Sequence, residues 1–217
     1  MDGVITDTVR FHFLSWKKLF DEEDIPFTSE DNRDLLGLAR EDSLRLILNR
    51  YGKKISPEQF LELFERKNQY FLEMIDQMKP SDRLPGVEEL IVQIKNRGLK
   101  IAVASSSRNT KFVLERLALF PWFDTICDSN RVTKAKPAPD LFLQAALDLG
   151  VPPESAVVIE DSEAGIIAAH RANMKAIGIG GGKQVGQADL QFNSLTEINL
   201  DVVIPYLHQL QARTIDG

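Results

Sequence analysis

Ala156-Val157-Val158-Ile159 is apolar at four consecutive positions and runs straight into Glu160-Asp161. A strand with one face in water alternates apolar and polar side chains. A continuous apolar run needs cover on both faces, which a parallel sheet between helices provides. Short runs at Leu99–Ala104, Thr125–Cys127 and Lys175–Ile179 have the same character. Between them the spacing predicts helices near Val87–Asn96, Lys111–Leu117, Leu141–Leu149 and Glu163–Ala172, the third stopped by Gly150. Strands alternating with helices predict an α/β fold, a parallel sheet closed by crossover helices.

From Thr8 to about Met78 the pattern is helical instead. Phe13, Trp16, Leu19 and Phe20, then Leu44, Ile47 and Leu48, then Phe60, Leu63, Phe64 and Phe71 recur at helical spacing, predicting three or more amphipathic helices. Ser56-Pro57-Glu58-Gln59 marks one start, with a capping hydroxyl, proline at the first helical position and glutamine at the capping-box position. The expected organisation is a core domain of residues 1–7 and 79–217 with a helical domain, 8–78, inserted. A chain of 217 residues with 43% hydrophobic content is ample for this. Residues Ala212 to Gly217 are expected to fray.

An excess of 32 acidic over 26 basic residues leaves no basic footprint for nucleic acid and no polybasic surface for anionic lipid. No apolar run approaches the roughly 20 residues that span a bilayer. The acidic, Thr-containing start lacks the regions of a signal peptide. The single Cys127 permits no internal disulfide, and no Cys/His cluster has zinc spacing. A cytoplasmic protein is expected.

Four clusters each end or follow a β run: Asp2 with Asp7, Ser105-Ser106-Ser107, Lys136, and Glu160-Asp161. Taken singly, acidic residues after a strand are commonly helix caps, serines form turns, and exposed lysines are the rule. Taken together they line the carboxyl ends of parallel strands, where ligands of such sheets bind. Glu160, Asp161 and Asp2 would repel one another unless a cation sat between them, and hard oxygen ligands suit magnesium. Ser105, Ser107, Asn109 and the amides of the following helix could hold phosphate oxygens, with Lys136 as the compensating charge.

Asp2-Gly3-Val4-Ile5-Thr6-Asp7-Thr8, Val103-Ala104-Ser105-Ser106-Ser107, Lys136-Pro137-Ala138-Pro139-Asp140 and Ile159-Glu160-Asp161-Ser162 resemble the motifs of the haloacid dehalogenase superfamily, and of its sugar phosphomutases in particular. The resemblance implies a Rossmann-like core with a helical cap inserted after the first motif. That motif is Asp-x-Asp-Gly at the end of the central strand, the first aspartate a nucleophile and the second the general acid and base. Asp2 matches the second. The resemblance therefore implies a chain truncated at its N-terminus, lacking the first central strand and the nucleophile, and inactive as written.

By the same resemblance Asp161 is a direct magnesium ligand, Glu160 supports the metal and Asp2 adds its backbone carbonyl, while Ser105 and Lys136 bind the transferring phosphoryl group. Thr8, His12, Trp16, Gly37, Arg40 and Lys67 match cap positions that close over a sugar phosphate, Arg40 gripping the distal phosphate bidentately. Ser107, Arg108 and Asn109 match a substrate-contacting loop. Leu36, where the mutases usually carry a basic residue, Ala39, where a hydroxyl is common, and Arg108, where lysine is frequent, depart from the pattern. The implied activity is a magnesium-dependent interconversion of β-glucose 1-phosphate and glucose 6-phosphate through an aspartyl-phosphate, by a monomer. A small sugar-phosphate phosphatase and a non-catalytic sugar-phosphate-binding protein are the alternatives.

Overall fold

Ser56 and Gln59 exchange side-chain and backbone hydrogen bonds, Gln59 N–H to Ser56 Oγ at 3.2 Å and Ser56 N–H to Gln59 Oε1 at 2.9 Å, and Pro57 opens the helix that follows. The computed structural model describes residues 1–35, 38 and 40–215. They form two compact units, Thr8–Lys79 and a second made of residues 1–7 with the chain from Pro80 onward.

The Thr8–Lys79 unit holds four helices among the described residues: α1 Val9–Glu22, α2 Ser29–Asp34, α3 Arg40–Arg50 and α4 Pro57–Ile75. Helices α1 and α4 pack along each other, and Trp16, Leu19, Phe20, Leu44, Ile47 and Leu63 close one apolar core. Helix α2 was not legible because Ser-Glu-Asp-Asn-Arg-Asp carries no apolar period. It is held by polar bonds instead. Thr28 and Asp31 form a capping box, and the buried Asp31 carboxylate also accepts from Arg50 Nη1 at 2.6 Å and Tyr51 Oη at 2.9 Å.

The second unit is the expected α/β architecture. Its strands are β1 Ala102–Ser105, β2 Thr125–Asp128, β3 Val157–Glu160, β4 Lys175–Ile179 and β5 Leu190–Phe192. Helices α5 Val87–Asn96, α6 Thr110–Arg116, α7 Asp140–Leu149, α8 Glu163–Arg171 and α9 Leu200–Ile215 accompany them. All strand pairs are parallel, in two sheets among the described residues: β1 beside β2, with Ala102 opposite Thr125, and β3-β4-β5, with Val157 opposite Lys175 and Ile177 opposite Leu190. Both motif-bearing strands, β1 and β3, present their carboxyl ends. Helix α7 serves both sheets: Leu141 and Ala145 pack on Cys127 of β2, while Phe142 and Ala146, one position on, join Val158 of β3 and Ile166 of α8.

Two sequence readings need correction. The first strand begins at Ala102, not Leu99, because Leu99 is exposed and the Asp124 carboxylate takes the Ile101 N–H at 2.7 Å in place of a strand neighbour. The short β5, alternating around an exposed Gln191, was missed. Helix α9 runs to Ile215, and Asp216 and Gly217 of the stretch expected to fray lie outside the described residues.

Residues 1–6 form a tight turn. Ile5 N–H bonds to Met1 O at 2.8 Å and Gly3 N–H to Thr6 O at 2.9 Å. The turn is tied to the chain after the helical unit: Leu84 N–H reaches Ile5 O at 2.9 Å, and the buried Thr6 hydroxyl donates to Asp82 O at 2.7 Å.

Candidate functional site

Strand β3 ends on Glu160, 5% exposed, and delivers Asp161 to the start of α8. Burial pushes the Asp161 carboxyl up to about 6, and the charges of Glu160 and, more weakly, Asp2 act in the same direction, against the Met1 amino group. The Asp2-Gly3 turn abuts it. A Cβ on Gly3 would stand 1.8 Å from Asp161 Oδ2, and Gly3 has a φ of +67°, so space and backbone both require glycine here. Asp2 and Asp161 are thus brought together although 159 positions separate them in the sequence. Asp7, grouped with Asp2 in the sequence reading, is exposed.

Lys136 is brought to the same strand end. Its ammonium lies 3.3 and 3.4 Å from the two Glu160 oxygens, with both side chains nearly enclosed, and 4.7 Å from the Phe142 ring centroid. Ser162 Oγ donates to Glu160 Oε1 at 2.5 Å and accepts the Gly165 N–H at 3.2 Å as the N-cap of α8. Glu160, read from sequence as a support for metal, therefore faces a lysine and a hydroxyl. Ser162, Phe142 and Gly165 were missed as parts of this arrangement. The N-cap pattern pointed to Ser162, whereas nothing local pointed to the other two.

Ser105, 4% exposed, ends β1 in the other sheet. Its Oγ accepts the Ser107 N–H at 3.1 Å, Ser107 Oγ accepts the Asn109 N–H at 3.2 Å, and the buried Thr110 hydroxyl donates to Ser107 O at 2.7 Å. The N–H groups of Ser107 and Asn109 are thus engaged within this turn, ahead of α6. Arg108 is exposed.

In the helical unit, Lys67 of α4 and His12 of α1 meet at 3.0 Å between Lys67 Nζ and His12 Nδ1. Lys67 is 1% exposed, with its ammonium 4.9 Å from the Trp16 ring and 4.7 Å from the Phe71 ring, and Phe71 stacks on His12 at 4.1 Å. Burial holds Lys67 well below the usual lysine range, helped by Arg40. The same burial, with the charges of Lys67 and Arg40, holds His12 well below the usual imidazole value. The Arg40 guanidinium lies 4.6 Å from the Phe64 centroid. Thr8, buried, precedes α1 and accepts the His12 N–H on its carbonyl at 3.0 Å. His12, Trp16, Arg40 and Lys67 are one cationic and aromatic cluster. Gly37, with Leu36 and Ala39, lies outside the described residues.

Among the described residues no group of three or more His, Cys, Asp or Glu forms a metal cluster. Magnesium does not require one, since one or two carboxylates with substrate phosphate suffice. The half-buried Asp161 beside Asp2 has the oxygen chemistry that such an ion takes. No helix among the described residues is long and apolar enough to cross a membrane.

An acidic turn packed on a strand-end acid, with a nearly enclosed lysine alongside, defines a class. The model of haloacid dehalogenase-like hydrolases matches residues 1–179, and the chain belongs to that family. Within it, the chain is 41% identical to the β-phosphoglucomutase of Bacillus subtilis over 215 residues, 98% of this chain and 95% of the relative. It is 28% identical to the phosphorylated carbohydrates phosphatase of Thermotoga maritima, over 97% and 96% of the two chains. The crystal structure of β-phosphoglucomutase from Clostridium difficile superposes with a TM-score of 0.89 at 34% identity, covering 96% of this chain and 95% of that one. The chain is thus a β-phosphoglucomutase-like member of a family of phosphotransferases and phosphatases. The expected N-terminal truncation gains no support from an alignment that spans 95% of the relative.

Proposed function

We propose that the protein is a magnesium-dependent sugar phosphomutase that interconverts β-glucose 1-phosphate and glucose 6-phosphate. The observation that carries this reading is the packing of Asp161 on the Asp2-Gly3 turn beside the nearly enclosed Lys136–Glu160 pair. The Asp2 carboxyl protonates the leaving oxygen and deprotonates the attacking hydroxyl. Lys136 and Ser105 hold the oxygens of the transferring phosphoryl group, which passes through an aspartyl-phosphate. Asp161 and the Asp2 carbonyl hold magnesium, with Glu160 behind them; the ion, when bound, neutralises charge on the phosphoryl oxygens. Thr8, His12, Trp16, Gly37, Arg40 and Lys67, with Ser107, Arg108 and Asn109, bind the sugar phosphate, and Arg40 takes the distal phosphate.

In the family's motif the attacking carboxylate stands two residues before the aspartate that acts as acid and base. We place the protein in the cytoplasm as a monomer, which sedimentation would test.

A phosphatase acting on small sugar phosphates is the second reading. It is favoured by the similarity to the Thermotoga maritima phosphatase and by Leu36, where the mutases usually carry a basic residue. Incubating the native gene product with β-glucose 1-phosphate and magnesium separates the two. Glucose 6-phosphate supports the mutase, while inorganic phosphate without it supports the phosphatase.

A further inference from the structure

We infer that Gly165 is a positioning residue for Lys136, acting through Glu160. Gly165 is the third residue of α8 and adopts ordinary helical backbone, so no unusual dihedral calls for glycine. Within a helix glycine is disfavoured relative to alanine. The reason for it is space. A Cβ at position 165 would stand 2.0 Å from Glu160 Oε1, 2.1 Å from Cδ and 2.2 Å from Cγ, overlaps that no rotation of a methyl group relieves.

The volume left by the missing side chain is where the Glu160 carboxylate lies. From that place it contacts Lys136 Nζ with both oxygens, at 3.3 and 3.4 Å, and receives the Ser162 hydroxyl. A buried carboxylate requires the nearly enclosed ammonium that pairs with it, so moving one moves the other. Helix α8 holds the lysine's loop from its far end as well, where Arg171 Nη1 donates to Pro137 O at 2.9 Å. The size of residue 165 therefore sets where the Lys136 ammonium stands. For catalysis this rests on the reading of Lys136 as the phosphoryl-binding lysine. The packing does not.

The test is a cycle of Gly165→Ala, Glu160→Ala and the double variant in the full chain, read by thermal midpoint and by affinity for inorganic phosphate with magnesium. Gly165→Ala lowers the midpoint in the native background and raises it in the Glu160→Ala background, where the overlap is gone. It also weakens phosphate binding by about 10- to 100-fold, as loss of a supporting partner does, and adds nothing to the loss caused by Glu160→Ala. If Gly165→Ala fails to fold while the double variant folds, the inference is supported. If both fail, or if alanine raises the midpoint in the native background, it is overturned. Unchanged phosphate affinity in Gly165→Ala also overturns it, and Lys136→Ala then locates the fault. Loss of binding in that variant places the fault with Gly165; normal binding places it with the role given to Lys136.

Discussion

Lys67 Nζ lies 3.0 Å from His12 Nδ1, so two basic side chains share one buried position. One side chain of the pair donates and the other accepts, and whenever Lys67 carries its ammonium the imidazole accepts at Nδ1 with its proton on Nε2. Burial first, then Lys67 and Arg40, keep His12 from charging. His12 is expected to stay neutral from pH 8 down through the ordinary imidazole value near 6.5. Its lowered folded pKa means that the unfolded chain binds more protons below that value, so this group costs stability as pH falls through it. Imidazole NMR shifts report it directly, and a titration centred near 6.5 would contradict the pairing. Lys67→Met should raise the His12 midpoint.

The helical unit depends on Asp31 in the opposite sense. Burial raises this carboxyl, but the donors Arg50, Thr28 and Tyr51 outweigh it and hold it at about 2. A folded pKa lowered from 3.8 to about 2 contributes stability that is present above pH 3.8 and lost as pH falls towards 2. Asp31→Asn should cost about 1–3 kcal/mol in urea unfolding at neutral pH. It should also flatten the acid limb between pH 4 and pH 2, and an unchanged limb would refute the assignment.

Gly3 is held to glycine by its backbone and by Asp161 together. Gly3→Ala should cost about 1–2 kcal/mol from the left-handed conformation alone. The overlap with Asp161 Oδ2 should add to this. Asp161→Ala in the same chain should recover only the overlap part, which equilibrium unfolding of the four proteins of this cycle resolves.

Millimolar magnesium should raise the thermal midpoint of the native chain, because an ion bound only by the folded state stabilises it. It also relieves the repulsion of Asp161 by Glu160 and Asp2. Asp161→Asn should abolish the shift, and chelation should reverse it. A shift that survives in Asp161→Asn would place the ion elsewhere.

Where pattern and punctuation coincide, the elements were legible to the residue. Helix α5 at Val87–Asn96 and strand β4 at Lys175–Ile179 are bounded as read. Helix α2 was not, since its stability lies in Asp31 bonds to Arg50 and Tyr51, about 20 positions away, rather than in an apolar face. The same division runs through the site. Glu160 and Asp161 could be placed at a strand end because an apolar run stops at them. The pairing of Glu160 with Lys136 could not, because it depends on the empty volume at Gly165, which only packing reveals. His12 and Lys67 entered through resemblance, and their mutual contact is a tertiary fact of α1 against α4.

The phosphomutase reading meets its most direct test in the fate of β-glucose 1-phosphate. The native gene product, given magnesium and this substrate, should form glucose 6-phosphate as detected by a dehydrogenase coupled to that product, and Asp2→Asn should abolish its formation. Release of inorganic phosphate with no glucose 6-phosphate, or full turnover by Asp2→Asn, would contradict it.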